Sequence, residues 1–518
     1  MKLHGVSFVV ASTAALFTSA SSAIADSATD SSALRTAVTV ENVRAHQQEL
    51  QTIADAHGGT RVSGSAGYDA SADYVKGLLE AAGYDVTQQL FSFPFFQENT
   101  APEFEQISPT PTTYAVGGDF LTMEYSGSGN VTAQIQPTDD IVIPPGPEAS
   151  SSNSGCEDAD FPPSTSGSIA LIQRGTCTFF DKALNAQEAG AVGVIIFNEG
   201  QPGRQEVLSG TLGGLGINIP VIGISFALGE SLYAASQGGG SVSARIEVDA
   251  FSESRDTSNI IAETPGGRGD RIVMVGAHLD SVAEGPGIND NGSGSAAILE
   301  IALQMAQLPT APYNKVRFAF WGAEEAGLLG SEHYVSQLSK QDIKNIALNL
   351  NFDMLGSPNF VRFVYDGDGS ATPTAGPNGS KNIEKVFLDY FKNSADMAPL
   401  ATEPTAFDGR SDYGPFIAVG IPAGGLFSGA EEIKTTEEVD IYGGVAGVAY
   451  DPCYHQACDD FSNNSDDSLD QLTDAAAHAV LTFAMTTSAV NGTAKAQLPH
   501  TGAVDPSSLL YRGPDLQK

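Results

Sequence analysis

Side chains able to bind divalent cations recur in the second half of this 518-residue chain. They are His278, Asp290, the adjacent pair Glu324 and Glu325, Asp353, and His455. Imidazole nitrogens and carboxylate oxygens are common zinc ligands, and two-metal sites gather such groups around a pair of ions. Burying several carboxylates together is strongly unfavourable unless cations balance their charge. These residue types therefore predict a site for two zinc ions.

Two ions held by so few side chains must share a ligand, and Asp290, at the start of a Gly/Ser-rich segment, is the candidate for that role. Each ion then needs about two further protein ligands, with water completing its shell. We assign the remaining ligands as follows: His278 and Asp353 to one ion, Glu325 and His455 to the other. Glu324 is left beside the ions without binding them, which is the position of a general base.

The predicted secondary structure gives these side chains a common location. Apolar runs predict strands over residues 271–276, 316–321 and 347–352, and a helix over 294–307. In open α/β sheets, ligands bind beyond the carboxyl ends of the strands. Four candidates follow such an end by one to four residues, namely His278, Glu324, Glu325 and Asp353. We therefore expect them to converge at one edge of a sheet.

The length of the chain favours more than one domain. Residues 40–57 and 66–82 have the apolar spacing of helices, residues 85–93 indicate a strand, and the Pro/Thr-rich stretch 96–127 is predicted to be irregular. Residues 128–250 contain a strand–helix–strand pattern but no histidine, so we expect them to lack the chemistry. The predicted boundaries are a signal peptide at 1–25, the first part of the catalytic domain with a crossing segment at 26–127, an inserted domain at 128–250, the rest of the catalytic domain at 251–490, and a polar tail at 491–518.

Charge and hydropathy limit the partners. The formal net charge of -37 argues against a nucleic-acid partner, whose phosphates need Lys and Arg. After the N-terminus no apolar run reaches the roughly 18 residues of a membrane span. The first 25 residues combine a basic start, an apolar stretch and Ala23-Ile24-Ala25, which is typical of a secretory signal. We expect a secreted, extracellular protein that is monomeric and has no membrane partner.

Four cysteines fit export. Proximity in sequence suggests the pairs Cys156–Cys177 and Cys453–Cys458, although three connectivities are possible. The second pair would hold Tyr454 and His455, which lie between its cysteines. Sequons predict glycans in a eukaryotic host at Asn130, Asn378, Asn463 and Asn491, whereas Asn291, inside the proposed metal loop, is expected to stay unmodified.

Taken in order, these motifs resemble a known family. The matching segments are His278-x-Asp280, Asp290, Glu324-Glu325 after Phe320-Trp321, Asp353 after Asn351-Phe352, residues 409–413, residues 424–427, and Tyr454-His455. They resemble the secreted co-catalytic di-zinc leucine aminopeptidases of bacteria and fungi, over about residues 40–95 and 255–490. Residues 128–250 look like the protease-associated domain inserted in some members. The resemblance implies an α/β fold of the zinc-exopeptidase type, with a mixed central β-sheet flanked by helices and an inserted smaller α/β-β domain.

The resemblance also implies roles for individual residues. It leaves the ligand assignment unchanged and makes Glu324 the general base. Asp280 would orient His278, and Tyr454 would hydrogen-bond the tetrahedral oxyanion. Arg410 matches a substrate-contacting arginine. The expected reaction is hydrolysis of a neutral, leucine-like N-terminal residue from peptides with a free N-terminus, by water that two Zn²⁺ ions per subunit activate.

Other interpretations remain open. The same fold could serve a dipeptidase, or a carboxypeptidase for acidic C-termini, although 25 Lys and Arg in the whole chain make a carboxylate pocket harder to build. A non-catalytic scaffold would have lost ligands, whereas every ligand position is filled here. HExxH chemistry is excluded because no histidine directly precedes a glutamate, and the absence of a GxSxG elbow disfavours a serine hydrolase. Asp470 and Asp474, one helical turn apart, could bind Ca²⁺ or balance a helix dipole.

Overall fold

A computed structural model describes residues 29–238, 241–393, 398–493 and 501–503, together with the backbone of residues 511–512 and 515–516. The predicted signal peptide and most of the predicted polar tail lie outside the described residues. Within the described part, none of the helices has both the length and the apolar character needed to cross a membrane.

The chain begins with three helices and a long strand: α1 Ser32–Ala37, α2 Val40–Ala56, α3 Ala66–Ala81 and β1 Asp85–Ser108. The hydroxyl of Thr39 accepts a hydrogen bond from the Asn42 N–H and so caps the start of α2. The Ser65 hydroxyl caps α3 in the same way. Both helices were expected from their apolar spacing, and their buried faces belong to the largest apolar core cluster, in which α3 packs on the sheet and α2 packs on neighbouring helices.

A second unit follows, with alternating strands and helices: β2 Thr112–Thr113, β3 Phe120–Thr122, β4 Gly129–Pro137, β5 Ile169–Gln173, α4 Phe179–Glu188, β6 Gly193–Phe197, β7 Val221–Ile224 and α5 Phe226–Gln237. Strands β4 to β7 are parallel neighbours, and β3 pairs antiparallel with β7. Apolar clusters cover both faces of this small sheet. A disulfide joins Cys156 to Cys177, as predicted.

The remaining elements complete the first unit: β8 Ser243–Glu263, β9 Arg268–His278, α6 Gly292–Ala306, β10 Asn314–Trp321, α7 Leu329–Ser336, α8 Lys340–Asn345, β11 Ile346–Phe352, β12 Phe363–Tyr365, α9 Ser380–Asn393, β13 Glu403–Thr405, α10 Tyr413–Ala418, β14 Ala423–Phe427, α11 Thr436–Tyr442, α12 Asp466–Met485 and α13 Ser488–Asn491. Near the C-terminus, β15 Tyr511–Arg512 pairs antiparallel with β16 Asp515–Leu516.

The central sheet of this unit is mixed and has helices on both faces, which confirms the predicted fold class. Its strand order is β13-β12-β14-β11-β9-β10-β8. Strands β14, β11, β9 and β10 run parallel, whereas β12 is antiparallel to β14 and β8 is antiparallel to β10. At the edge of the sheet, β13 runs parallel to β12. The chain moves from β9 to β10 on one side and returns to β11 on the other. The carboxyl ends of β10, β9 and β11 therefore border a crevice at a topological switch point, where open α/β sheets bind ligands.

A long antiparallel ribbon joins the two units. Strand β1 pairs with β8 from Asp85↔Glu263 to Ser108↔Ser243, so one end of the ribbon lies in the central sheet and the other end pairs with β4 of the second unit. The prediction that residues 96–127 are irregular is therefore wrong for residues 96–108. The register shifts between Thr100 and Glu103, and Pro102 falls within that bulge. Bulges accommodate a proline without ending a strand, which is why proline content misled the prediction.

Candidate metal centre

His278 lies at the crevice between two carboxylates. It is the last residue of β9, and its Nε2 atom is 3.2 Å from Asp290 Oδ1 and 3.2 Å from Asp353 Oδ1. Its other ring nitrogen, Nδ1, is 3.2 Å from the Asp280 carbonyl oxygen and 3.7 Å from the Asp280 carboxylate. A proton on Nδ1 would be held by these oxygens, which leaves the Nε2 lone pair for a metal ion.

His455 approaches the other oxygen of the same carboxylate. Its Nε2 atom is 3.2 Å from Asp290 Oδ2 and 3.1 Å from Glu325 Oε2. Asp290 therefore lies between the two imidazoles, with one carboxylate oxygen toward each. Despite burial, the hydrogen bonds and charges of His278 and His455 hold the pKa of Asp290 far below its usual value. The peptide bond between Asp290 and Asn291 is cis.

The donor set fits divalent cations. Two overlapping groups bring ligand atoms within 4.8 Å of one another, His278 with Glu324 and Asp353, and His278 with Asp290 and Glu325. The Oε1 atom of Glu325 is buried and has no hydrogen-bond partner, although a buried carboxylate oxygen normally has one. Because imidazoles and carboxylates bind zinc and an ion would satisfy this oxygen, the residues present fit the predicted cofactor.

One buried carboxylate positions the acidic pair. Glu324 and Glu325 follow β10, and the carboxylate of Asp280 accepts hydrogen bonds from the N–H of Glu324 at 3.3 Å and of Glu325 at 3.4 Å. The same carboxylate faces the His278 ring. Asp280 thus links the turn after β10 to the end of β9. Because Glu324 and Glu325 are adjacent and anchored through their backbone, their side chains can point to different groups of the centre.

A second shared carboxylate fixes the loop that carries Asp290. The two oxygens of Asp459 accept hydrogen bonds from the N–H of Asn289 at 2.8 Å and of Asp290 at 2.9 Å. The Asn463 amide donates to Asp459 at 3.0 Å and to Asp451 at 2.9 Å. Since that amide nitrogen is buried and engaged, Asn463 does not offer the exposed nitrogen that a glycan acceptor needs, and the sequon prediction does not fit this environment.

The buried Arg61 ties down the rest of that loop. Its guanidinium donates to the carbonyl oxygens of Leu279, Pro286 and Gly287, at 2.8 Å to Pro286 and 2.7 Å to Gly287. Burial lowers the pKa of Arg61 to about 10, opposed by the charge of Asp280 and other nearby carboxylates. Gly287 has φ +60°, and a Cβ there would lie 2.3 Å from the Asp290 carbonyl oxygen, so the loop needs glycine at that point.

Asp353 is oriented by a short chain of hydrogen bonds. It follows β11, and its Oδ2 atom accepts a hydrogen bond from the Ser411 hydroxyl at 2.6 Å. The Asn351 amide donates to that hydroxyl at 2.8 Å. Because Ser411 engages Oδ2, Oδ1 is the oxygen that faces His278.

Tyr454 and Arg410 lie at the mouth of the centre. The Tyr454 ring stacks on His455, with 3.9 Å between ring centroids, and the Tyr454 hydroxyl accepts a hydrogen bond from Arg410 at 3.2 Å. Arg410 also forms an ion pair with Glu431 at 2.8 Å. The Cys453–Cys458 disulfide encloses Tyr454 and His455, as predicted. This short loop has His455 at φ +55°, a conformation uncommon outside glycine.

Three buried carboxyl groups at the centre have raised pKa values. Burial raises the pKa of Glu325 to about 7, although the charge of His455 opposes the shift. Burial also raises the pKa of Glu324 well above its usual value, with Asp412 adding to the shift and His278 opposing it. The pKa of Asp412 itself rises to about 8 because it is buried. A cation in the centre would relieve all three costs.

A small cavity of about 70 Å³ opens beside the centre. Its walls combine the cluster with Met354, Tyr365, Phe427, Ala430 and Arg410. The apolar members can contact an aliphatic side chain. Arg410 provides the cavity's only lysine or arginine among the described residues, and its charge is already paired with Glu431.

The structure brings the predicted metal ligands close to Glu324, Asp280, Tyr454 and Arg410, whereas the predicted Cys156–Cys177 disulfide lies apart from them in the second unit. It also adds groups that the sequence analysis assigned no role, namely Arg61, Asp451, Asp459, Asp412 and Ser411. Asp451 and Asp459 lie close to Cys453 and Cys458 in the chain, which was the available signal. The calcium prediction at Asp470 and Asp474 stays a prediction. Asp474 has other partners, since its Oδ2 atom is 3.5 Å from Arg35 Nη1 and 3.4 Å from the Tyr390 hydroxyl.

The fold gathers imidazoles and carboxylates that can bind metal ions at the carboxyl ends of its central strands. Residues 259–480 match the model of peptidase family M28, and residues 138–232 match the PA domain. The chain belongs to peptidase family M28, and its second unit contains an inserted PA domain.

Relatives of similar length are named aminopeptidases. An aminopeptidase of Pseudomonas aeruginosa (strain UCBPP-PA14) is 46% identical over 452 residues, which cover 87% of this chain and 82% of the relative. Leucine aminopeptidase 2 of Trichophyton equinum is 39% identical over 456 residues, covering 87% and 85%. Among solved structures, the aminopeptidase from Aneurinibacillus sp. strain AM-1 has a TM-score of 0.65 at 27% identity and covers 87% of this chain and 95% of its own. A zinc aminopeptidase from Bacillus subtilis has a TM-score of 0.54 at 27% identity, covering 85% and 94%.

Proposed function

We propose that this aminopeptidase uses two Zn²⁺ ions to hydrolyse neutral, leucine-like residues from the N-terminus of peptides. The observation that carries the proposal is the position of Asp290, whose two carboxylate oxygens lie 3.2 Å from different imidazoles. One ion would be held by His278, Asp353 and Asp290, and the other by Glu325, His455 and Asp290. When bound, zinc ions acidify water and polarise carbonyl oxygens.

Glu324 is the proposed proton carrier. It is buried, its backbone is fixed by Asp280, and its Oε2 atom lies 4.0 Å from His278 Nε2, so it borders the metal ligands. A base in that position takes the proton of the attacking water and returns it to the departing amine.

Tyr454 and the small cavity complete the site. The Tyr454 hydroxyl accepts from Arg410 and keeps its own proton to donate to the tetrahedral oxyanion, because burial raises its pKa well above the usual value. The apolar walls contributed by Met354, Tyr365 and Phe427 suit an aliphatic side chain at the N-terminus of the substrate. Arg410 would contact the substrate from the rim.

The proposal includes the setting of the enzyme. We infer an extracellular monomer, with the signal peptide, insert and tail boundaries predicted above. Two disulfides support an oxidising compartment. The leucine preference is supported by the relatives named leucine aminopeptidase 2. A dipeptidase or carboxypeptidase is the second candidate, but a terminal carboxylate needs an available cation, and the charge of Arg410 is already paired with Glu431.

A substrate panel tests the proposal. Zinc-loaded protein should hydrolyse Leu-p-nitroanilide faster than the Lys and Glu analogues and should not cleave N-acetylated peptides. A chelator should abolish the activity, and zinc should restore it. Cleavage of blocked peptides from the C-terminus, or release from dipeptides alone, would instead support the second candidate.

A further inference from the structure

A second, larger cavity lies between the catalytic unit and the PA domain. Its volume is about 430 Å³, and it shares Glu325 and His455 with the smaller cavity beside the metal centre. Asp280 also lines it. Both cavities therefore border the metal centre. Glu325 lines both cavities. Its side chain is more than nine-tenths buried, and its Oε1 atom has no hydrogen-bond partner.

Three parts of the molecule build the walls of the larger cavity. The catalytic unit contributes Val282 to Glu284 in the loop after β9, the ribbon contributes the aromatic residues Phe93, Phe95 and Phe96 of β1, and the second unit contributes Leu121 to Tyr125 around β3 and Ser209 of the PA domain. A peptide occupying this cavity would contact both units at once.

The walls carry negative charge from all three parts. Glu98 belongs to the ribbon, Glu124 to the second unit just after β3 and Glu284 to the loop after β9, and none of the described lining residues is lysine or arginine. Glu98 and Glu284 are near enough to interact, since burial and the charge of Glu284 both raise the pKa of Glu98. The cation near this wall is Arg255, which packs on the Phe95 ring and pairs with Glu253 at 2.7 Å.

The sizes of the cavities set the direction of a bound peptide. The smaller one holds about one side chain, and Met354, Tyr365 and Phe427 give its wall an apolar part that suits the residue before the scissile bond. The rest of the peptide must leave the metal centre through the larger cavity. A charged group on the second or third residue would then lie among Glu98, Glu124 and Glu284.

We propose that this interdomain cavity binds the second and third residues of the substrate and that its three glutamates select for positive and against negative charge there. The proposal rests on the proposed function and extends it to the released part of the peptide. It also predicts poor cleavage of dipeptides, because their C-terminal carboxylate would lie against the acidic wall. The second unit thereby contributes a specificity-determining residue, Glu124, to the site.

Peptide pairs that differ in one charge test this selection. The substrates are Leu-Lys-Ala-amide and Leu-Glu-Ala-amide, the matching pair with the charge at the third residue, and Leu-p-nitroanilide, which has no amino acid beyond the scissile bond. The proteins are the zinc-loaded wild type, the triple variant Glu98→Gln/Glu124→Gln/Glu284→Gln, and the control Glu230→Gln. Glu230 is exposed on α5 of the PA domain and does not line the cavity.

We expect the wild type to prefer Lys over Glu by roughly tenfold in kcat/KM, since each partly exposed charge pair adds a factor of a few. The triple variant should bring the ratio close to one, whereas Glu230→Gln should keep it. All three proteins should hydrolyse Leu-p-nitroanilide at similar rates. If the triple variant does not fold, high salt on the wild type and the single variant Glu284→Gln should each reduce the ratio.

Two results would overturn the selection. One is a wild-type ratio near one, and the other is a ratio that the triple variant and high salt both leave unchanged. Failure of the proposed function looks different, because zinc-loaded wild type would then not hydrolyse Leu-p-nitroanilide at all.

Discussion

Without bound metal, this protein should become less stable as the pH rises. Glu325 is buried at the centre, and its pKa is raised from 4.5 to about 7 without a cation. A folded chain that binds this proton more tightly than the unfolded chain loses stability as pH rises from about 4.5 to about 7. The raised pKa values of His278 and His455 act in the same direction above about pH 6.5. The lowered pKa of Asp290 acts oppositely, but below about pH 4.

The size of the effect follows from the shift at Glu325. About 2.5 units at 1.36 kcal/mol each amount to roughly 3 kcal/mol lost between pH 4.5 and 8. For a unit of roughly 300 residues, the unfolding entropy of about 0.6 kcal/mol/K converts this into a Tm lower by roughly 5 °C. Bound zinc keeps Glu325 ionised in the folded state and removes the penalty.

Thermal melts of chelated and zinc-loaded protein at pH 5 and pH 8 measure this difference. The chelated protein should lose roughly 5 °C more than the zinc-loaded protein on going to pH 8. The variant Glu325→Gln is the matched control, since it keeps the side-chain size and should remove the part of the pH dependence that Glu325 contributes, while the part contributed by His278 and His455 remains. Equal pH dependence of the chelated and zinc-loaded wild type would refute the reasoning.

Three substitutions separate the roles of individual residues. Glu324→Gln should lower kcat by about 10²–10⁴ with zinc content unchanged, and loss of zinc by elemental analysis would contradict its role as base. Arg61→Met removes the guanidinium donor of the buried Leu279 and Pro286 carbonyls and one of the two donors of the Gly287 carbonyl, so urea melts should show a loss of about 3 kcal/mol or more, and wild-type stability would argue against the loop anchor. Replacing Cys453 and Cys458 by serine opens a short loop, whose closure contributes less than roughly 3 kcal/mol to stability. We therefore expect only a small decrease in Tm but a clear decrease in kcat/KM, because Tyr454 and His455 are no longer held in place. A kcat/KM equal to that of the wild type would assign this disulfide to stability alone.

The ligand cluster could be predicted because its members follow strand ends. His278, Glu324 and Asp353 each come at or just after an apolar run, and parallel strands bring such positions to one edge of a sheet. His455 has no such local signal, since it lies in an irregular loop. We assigned it as a ligand because two ions need further protein ligands and because Tyr454-His455 matches a motif of the family.

The supporting residues could not be read from local sequence. Arg61 lies in a Gly-rich connection between two helices, where an arginine is normally exposed, and only the fold shows that its guanidinium reaches Pro286 and Gly287. Asp459 looks like one of many acidic loop residues until its contacts with Asn289 and Asp290 are known. The length of β1 was missed for a related reason, because its pairing with β8 is a non-local interaction.

The central claim is that two zinc ions share Asp290. Anomalous diffraction at the zinc absorption edge, from crystals of zinc-loaded protein, tests it most directly. We expect two peaks, one between His278 and Asp353 and the other between His455 and Glu325, with Asp290 between them. A single peak, or a pair of peaks that both lie away from Asp290, would contradict it.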